Sequence, residues 1–170
     1  MFPVGMSVLY GRTGVCRVEG IGTPPAQKKG GPCCYKLRAL FSCSGELIYI
    51  PVDTAVSIRP LIGKSEASRH LEQLAQMRSP SFSSRKPSEL AAHYQELLAT
   101  SRLEDCLLLL KEVFLKEQDL ARRKKKLGQV DTRYQKVAER LVCEEFAVAL
   151  QTTPEAVKRQ LYSVMGQSAV

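Results

Sequence analysis

Apolar positions in the first third of the chain recur in short runs that alternate with polar ones. The clearest run covers residues 34–40, where Tyr35, Leu37 and Ala39 face one way and Lys36 and Arg38 the other. That two-residue period is the signature of a half-buried strand. Similar runs at 6–10, 15–21, 46–50 and 55–58 predict four more strands. The breaks between them are turn chemistry. Residues 22–32 hold Pro24-Pro25, Lys28-Lys29 and Gly30-Gly31-Pro32, which read as a loop whose two lysines are solvated. Ser42-Cys43-Ser44-Gly45 predicts the turn between the third and fourth strands. Pro51 closes the fourth because it has no N–H to give to a ladder.

The period changes at residue 65. Helical spacing predicts helices over 66–76, 87–99, 103–118, 132–150 and 154–164, with a polar loop over 79–84. In the third helix Leu103, Cys106, Leu107, Leu110, Val113 and Phe114 form one apolar stripe. Arg102, Lys111, Glu112 and Lys116 lie off it, whereas Leu108, Leu109 and Leu115 predict burial on more than one face. Residues 119–126 read as a short basic helix or an extension of this one, with Gly128 as its stop. Thr153-Pro154-Glu155 starts the last helix: a hydroxyl cap, a proline in the first turn, then an acid near the positive helix end. The expected fold class is therefore α+β. A small SH3/Tudor-like β-barrel occupies residues 1–62 and an all-α helical bundle residues 63–170.

Composition narrows the function. With 44% hydrophobic and 25% charged residues over 170 positions, the chain suits two small globular domains. No run is apolar enough to span a bilayer and no export signal opens the chain, so the expectation is a cytoplasmic protein with no membrane partner. The six cysteines fit that compartment as small apolar residues. Cys33 and Cys34 are adjacent, which is poor metal-chelating geometry, so neither metal nor cofactor is expected. Two histidines, no glycine-rich phosphate loop and no nucleophile motif leave few groups for catalysis. Glu144 and Glu145 are helix neighbours pointing about 100° apart, so they do not converge on a substrate. The chain reads as a non-enzyme. Its net charge of +8 favours polyanions or acidic protein surfaces. The densest cationic run is Arg122, Arg123, Lys124, Lys125 and Lys126, read as five charges on one and a half helical turns that contact phosphates. The helix pair over 143–162 also has helix-turn-helix spacing, in which Lys158, Arg159 and Gln160 would face base edges. Such pairs are commoner in plain bundles.

The order of motifs resembles the CarD-like family, which includes the matching domain of the transcription-repair coupling factor. Phe2-Pro3-Val4-Gly5-Met6-Ser7-Val8-Leu9-Tyr10 followed by Gly11-Arg12-Thr13-Gly14-Val15 is similar to the family's opening, with Gly5, Val8, Tyr10 and Gly14 matching. Tyr35 to Leu40, then Gly45-Glu46-Leu47-Ile48-Tyr49-Ile50-Pro51-Val52-Asp53, resembles its strand, turn and proline ending. Ile58-Arg59-Pro60-Leu61-Ile62 resembles its hinge, and Arg78-Ser79-Pro80 the Arg-x-Pro after its first helix. The likeness continues through Tyr94 and Arg140-Leu141-Val142 to about residue 150.

The resemblance implies a transcription regulator. Its N-terminal domain would bind the RNA polymerase β subunit by pairing an edge strand with it, through Glu46, Leu47, Ile48, Tyr49 and Ile50, with Lys36 and Arg38 beside them. Its helical domain would contact promoter DNA at the upstream edge of the bubble and stabilise the open complex. Several members wedge a tryptophan into the minor groove there. This chain has no Trp; the position falls on Leu90, and the basic residues that follow correspond to Ala91, Ala92 and His93. The wedge and part of its phosphate clamp therefore do not carry over; DNA contact is expected at Leu90, although a leucine in a first helical turn is more often core, at His93 and at residues 122–126. Two further readings stand beside this one: a polymerase-binding adaptor without a DNA grip, and a nucleic-acid-binding protein independent of polymerase. No long heptad pattern is present, so a monomer is expected.

Overall fold

The computed structural model describes residues 1–27, 30–78 and 82–167. Lys28 and Lys29, and the Ser79-Pro80 half of the Arg78-Ser79-Pro80 match, lie outside them. The chain divides into two compact units, Met1–Leu61 and Ile62–Val170.

The first unit is one antiparallel sheet of five strands: β1 (Ser7–Tyr10), β2 (Gly14–Gly22), β3 (Cys34–Ala39), β4 (Leu47–Pro51) and β5 (Ile58–Pro60). The order across the sheet is β4-β3-β2-β1-β5. The alternation seen in sequence becomes two faces. Val8, Cys16, Val18, Tyr35, Leu37 and Ile50 form a buried cluster, closed over by Phe2, Met6 and Ile48 among others. Phe2 donates its N–H to the Tyr35 hydroxyl at 3.0 Å. A buried phenol thus keeps a partner, which its otherwise costly burial requires. Strand β2 breaks register between Val18 and Gly20, opposite Leu37 and Lys36. The extra residue of this bulge is Glu19, and a bulge re-aims the side chain it frees. The fifth strand comes later than its sequence pattern suggested, at 58–60 instead of 55–58. Its position is set by pairing with β1, Tyr10 against Ile58 and Val8 against Pro60, a non-local choice that local alternation does not encode.

The second unit is a bundle of α1 (Lys64–Gln76), α2 (Pro87–Ala99), α3 (Leu103–Arg122), α4 (Gln129–Ala149) and α5 (Pro154–Gln167). Helix α3 packs along α4, α4 along α5, and α1 along α5, while α2 covers α3 and α4. The start of α5 follows its cap: the Thr153 hydroxyl accepts the Ala156 N–H at 3.2 Å. Ile62, the first residue of this unit, donates its N–H to the buried Glu145 carboxylate at 3.1 Å.

Two features of α3 correct the expectations. Lys111 and Glu112, placed off the apolar stripe, are 1% and 5% exposed. Helices α1, α2 and α4 all reach α3, so its polar flank is enclosed as well. Glu112 is matched by His93 at 2.8 Å, but the Lys111 ammonium has no hydrogen-bond partner among the described residues. The second correction is the end of the helix. Residues 119–126 are not a continuous basic helix: α3 stops at Arg122, and Gly128 is the N-cap of α4 instead of a helix stop. Lys124 takes the left-handed conformation at φ 56°. The Lys125 N–H then reaches the Leu120 carbonyl (2.8 Å) and the Lys124 N–H the Ala121 carbonyl (3.0 Å). This pair of bonds is the Schellman closure, which glycine normally provides.

Candidate functional site: a free strand edge and a basic helix end

Strand β4 is delivered by the turn after β3, where Gly45 adopts φ 58°, a conformation glycine enters without steric cost. Among the described residues β4 pairs only with β3, so its other side is a free edge. One hydrogen bond fixes which residues face it. The Val52 N–H reaches the Cys33 carbonyl at 3.0 Å, continuing the register that sets Tyr35 against Ile50 and Leu37 against Ile48. Opposed residues in an antiparallel pair alternate between exchanging hydrogen bonds and facing away. Ile48 and Ile50 therefore bond to β3, whereas Leu47 and Tyr49 turn both N–H and C=O outward. The Pro51 carbonyl is already taken by the Thr54 N–H at 3.1 Å. The edge offers two consecutive donor–acceptor sets and then ends at a proline.

The side chains divide in the same rhythm. Ile50 is buried in the core and Ile48 packs against it. Leu47 and Tyr49, each 38% exposed, stand on the outer face with Glu46 exposed before them. Lys36 lies directly across from Tyr49, and Arg38 across from Leu47. Arg38 is held in place: its guanidinium donates to both Glu19 oxygens (2.5 and 3.1 Å) and to the Gly45 carbonyl (3.0 Å). Those bonds lower the Glu19 carboxyl below its ordinary value and raise the guanidinium above its own. The bulge in β2, which sequence alternation did not reveal, thus supplies a residue that fixes the arginine beside the edge. Six of the seven residues expected from sequence lie on two neighbouring strands and Glu46 just before β4, but only Leu47 and Tyr49 offer both side chain and outward backbone.

In the helical unit the sequence candidates separate. Leu90 is 7% exposed, part of the packed face of α2. His93 bonds the buried Glu112 carboxylate and stacks on Phe82, with ring centroids 4.2 Å apart. Both point into the bundle. Arg122, Arg123, Lys124, Lys125 and Lys126 are all exposed, at the end of α3 and in the loop to α4. Arg123 pairs with Asp119 at 3.3 Å. The other four have no acidic partner among the described residues. Lys158, a helix-turn-helix candidate, pairs with Glu139 at 2.9 Å. The same Glu139 accepts from Tyr162, so this lysine is engaged within the bundle.

No group of three or more metal-ligating side chains occurs among the described residues, and no described helix is long and apolar enough to cross a membrane. In comparison with known proteins, residues 2–62 match the family model described as CarD-like/TRCF RID domain. That match covers the whole β-sheet unit but for its first residue. No curated protein matches the chain.

Proposed function

We propose that this CarD-like family member, so identified by the domain it carries over residues 2–62, docks on the RNA polymerase β subunit through the free edge of β4 and contacts promoter DNA through its helical unit. The domain is an interaction module of RNA-polymerase-associated, transcription-related proteins. The observation that carries the docking half is the outward phase of Leu47 and Tyr49. A partner strand laid along β4 meets two N–H and two C=O groups in line, each hydrogen bond contributing about 0.5–1.5 kcal/mol net. Tyr49 and Leu47 add apolar contact on the outer face, and Lys36 and Arg38 favour an acidic partner strand.

The DNA half rests on the exposed cations at residues 122–126. Phosphate contacts release counterions, so this binding weakens steeply with salt. In this reading the helical unit favours the open complex by binding it more tightly than the closed one, since only unequal affinity shifts an equilibrium. The burial of Leu90 favours the second reading, an adaptor that binds polymerase without a minor-groove wedge.

The phase of β4 gives a sharp test. A Tyr49→Pro variant removes an N–H that β3 does not use, so the domain's own ladder survives. Polymerase binding by the full chain, measured by surface plasmon resonance, is expected to be lost in Tyr49→Pro and only weakened in Tyr49→Ala. Equal binding by the two variants would sink the edge-pairing mechanism. DNA contact is read separately, as polymerase-dependent footprint protection that shrinks when residues 122–126 are neutralised. An unchanged footprint leaves the adaptor.

A further inference from the structure

The loop that ends α3 borders a groove of about 490 Å³ between the last turns of α3 and the first turns of α4. Lys125 and Lys126 line it, and with Arg122 and Lys124 they form the part of the cationic run with no acidic partner among the described residues. The rest of the lining has a different chemistry. Ala121 and Leu127 are apolar; Thr132 and Gln135 are neutral hydrogen-bonding groups; Glu117 is a carboxylate. The Thr132 hydroxyl donates to the Gly128 carbonyl at 3.0 Å and the Gln135 amide N–H to the Tyr162 hydroxyl at 3.3 Å. Each therefore keeps acceptor capacity for a ligand.

This division constrains what fits. Four neighbouring cations on a hydrogen-bonded turn match a polyanion with repeating charge better than a single phosphate. Glu117 disfavours a phosphate at its own side of the groove. The part of a polyanion that lies beside Glu117 must be uncharged, must have a flat apolar body to lie against Ala121 and Leu127, and must carry N–H donors for an acceptor-rich wall. A nucleobase has all three properties. In a duplex its donors are already paired and its faces stacked, so the groove can take only an unpaired base.

We infer that the α3–α4 groove binds an unpaired base of single-stranded nucleic acid, with the strand's phosphates running over Arg122, Lys124, Lys125 and Lys126. The inference rests on the reading of residues 122–126 as phosphate contacts and adds strand state and base preference to it. Glu117 accepts and never donates, so bases with an exocyclic amine (cytosine, adenine and guanine) are preferred to thymine, whose one N3–H lies between two carbonyl oxygens.

The test uses the full chain and fluorescence anisotropy with short oligodeoxycytidylate, oligodeoxythymidylate and a duplex of equal length. The expected order is oligodeoxycytidylate, then oligodeoxythymidylate, then duplex, with about a tenfold step for the charged hydrogen bond. Glu117→Gln should erase the cytidylate preference while leaving thymidylate affinity in place, because glutamine keeps the size but loses the acceptor-only wall. Joint substitution of Lys125 and Lys126 by alanine should weaken all three ligands and lower the salt slope on single strands by about 0.7 per lysine. Equal binding of single strand and duplex, or a preference unmoved by Glu117→Gln, overturns the groove inference alone. Affinities unmoved by the lysine substitutions overturn the phosphate reading as well.

Discussion

Lys111 is the residue most at odds with its surroundings. Its ammonium is enclosed on α3 with no hydrogen-bond partner among the described residues, and burial lowers its pKa from the ordinary 10.5. Leaving a polar group buried and unsatisfied costs about 1–3 kcal/mol. A Lys111→Met variant keeps the length and apolar stem without the charge, and is expected to be more stable by about that amount in urea unfolding. The pH dependence follows from linkage. The folded state holds this proton less tightly than the unfolded chain, so the penalty is full below the folded pKa. It is relieved as pH rises from there towards 10.5. The gap between variant and parent should narrow over that range, and a gap independent of pH would show that titration of Lys111 is not its source. None of this was legible in sequence. A lysine off an apolar stripe reads as solvent-facing, and the enclosure comes from three other helices. His93 misled in a similar way: its partner Glu112 lies 19 positions away, so spacing gave no sign that the ring turns inward.

At the scale of elements, apolar period located all five helices and most of the sheet, since burial of one face is what the period records. Ends were harder. The boundary of α3 lies inside a run of five cations with no glycine in it, and Gly128, the obvious stop, caps the next helix instead. The chain closes α3 with Lys124 in a conformation that costs a side-chain-bearing residue about 1 kcal/mol. Lys124→Gly is accordingly expected to raise the melting temperature while removing one of the proposed phosphate contacts. A stabilised variant with weaker binding to nucleic acid would show that the lysine is kept for its charge. A destabilised variant would mean that the left-handed turn is not under strain. The free edge was equally hidden. A strand at 46–50 can be read from its alternation, but whether it is central or peripheral depends on which strands pair, and that is settled by contacts far apart in sequence.

Across the whole molecule, a division into a strand-rich unit and a helical unit was readable from the change of period near residue 65, because the two periods require different backbones. The proposed tasks divide in the same way, main-chain pairing on β4 and charge on the α3–α4 loop. The free edge also has a consequence for the chain's behaviour when no partner is at hand. The donor–acceptor row that would accept a polymerase strand is present on every copy, and two copies of β4 can meet antiparallel about a twofold axis using the same groups. Brevity of the edge, the proline at its end and a net charge of +8 oppose this, so dilute protein should sediment as a monomer. At high protein concentration and high salt, where charge repulsion is screened, a dimer should appear in analytical ultracentrifugation and vanish in Tyr49→Pro. A dimer that persists in that variant would place the contact elsewhere. If the proposed docking on β4 holds and the dimer does vanish in Tyr49→Pro, overproduction is self-limiting: surplus copies sequester one another, and the supply of free docking edges levels off.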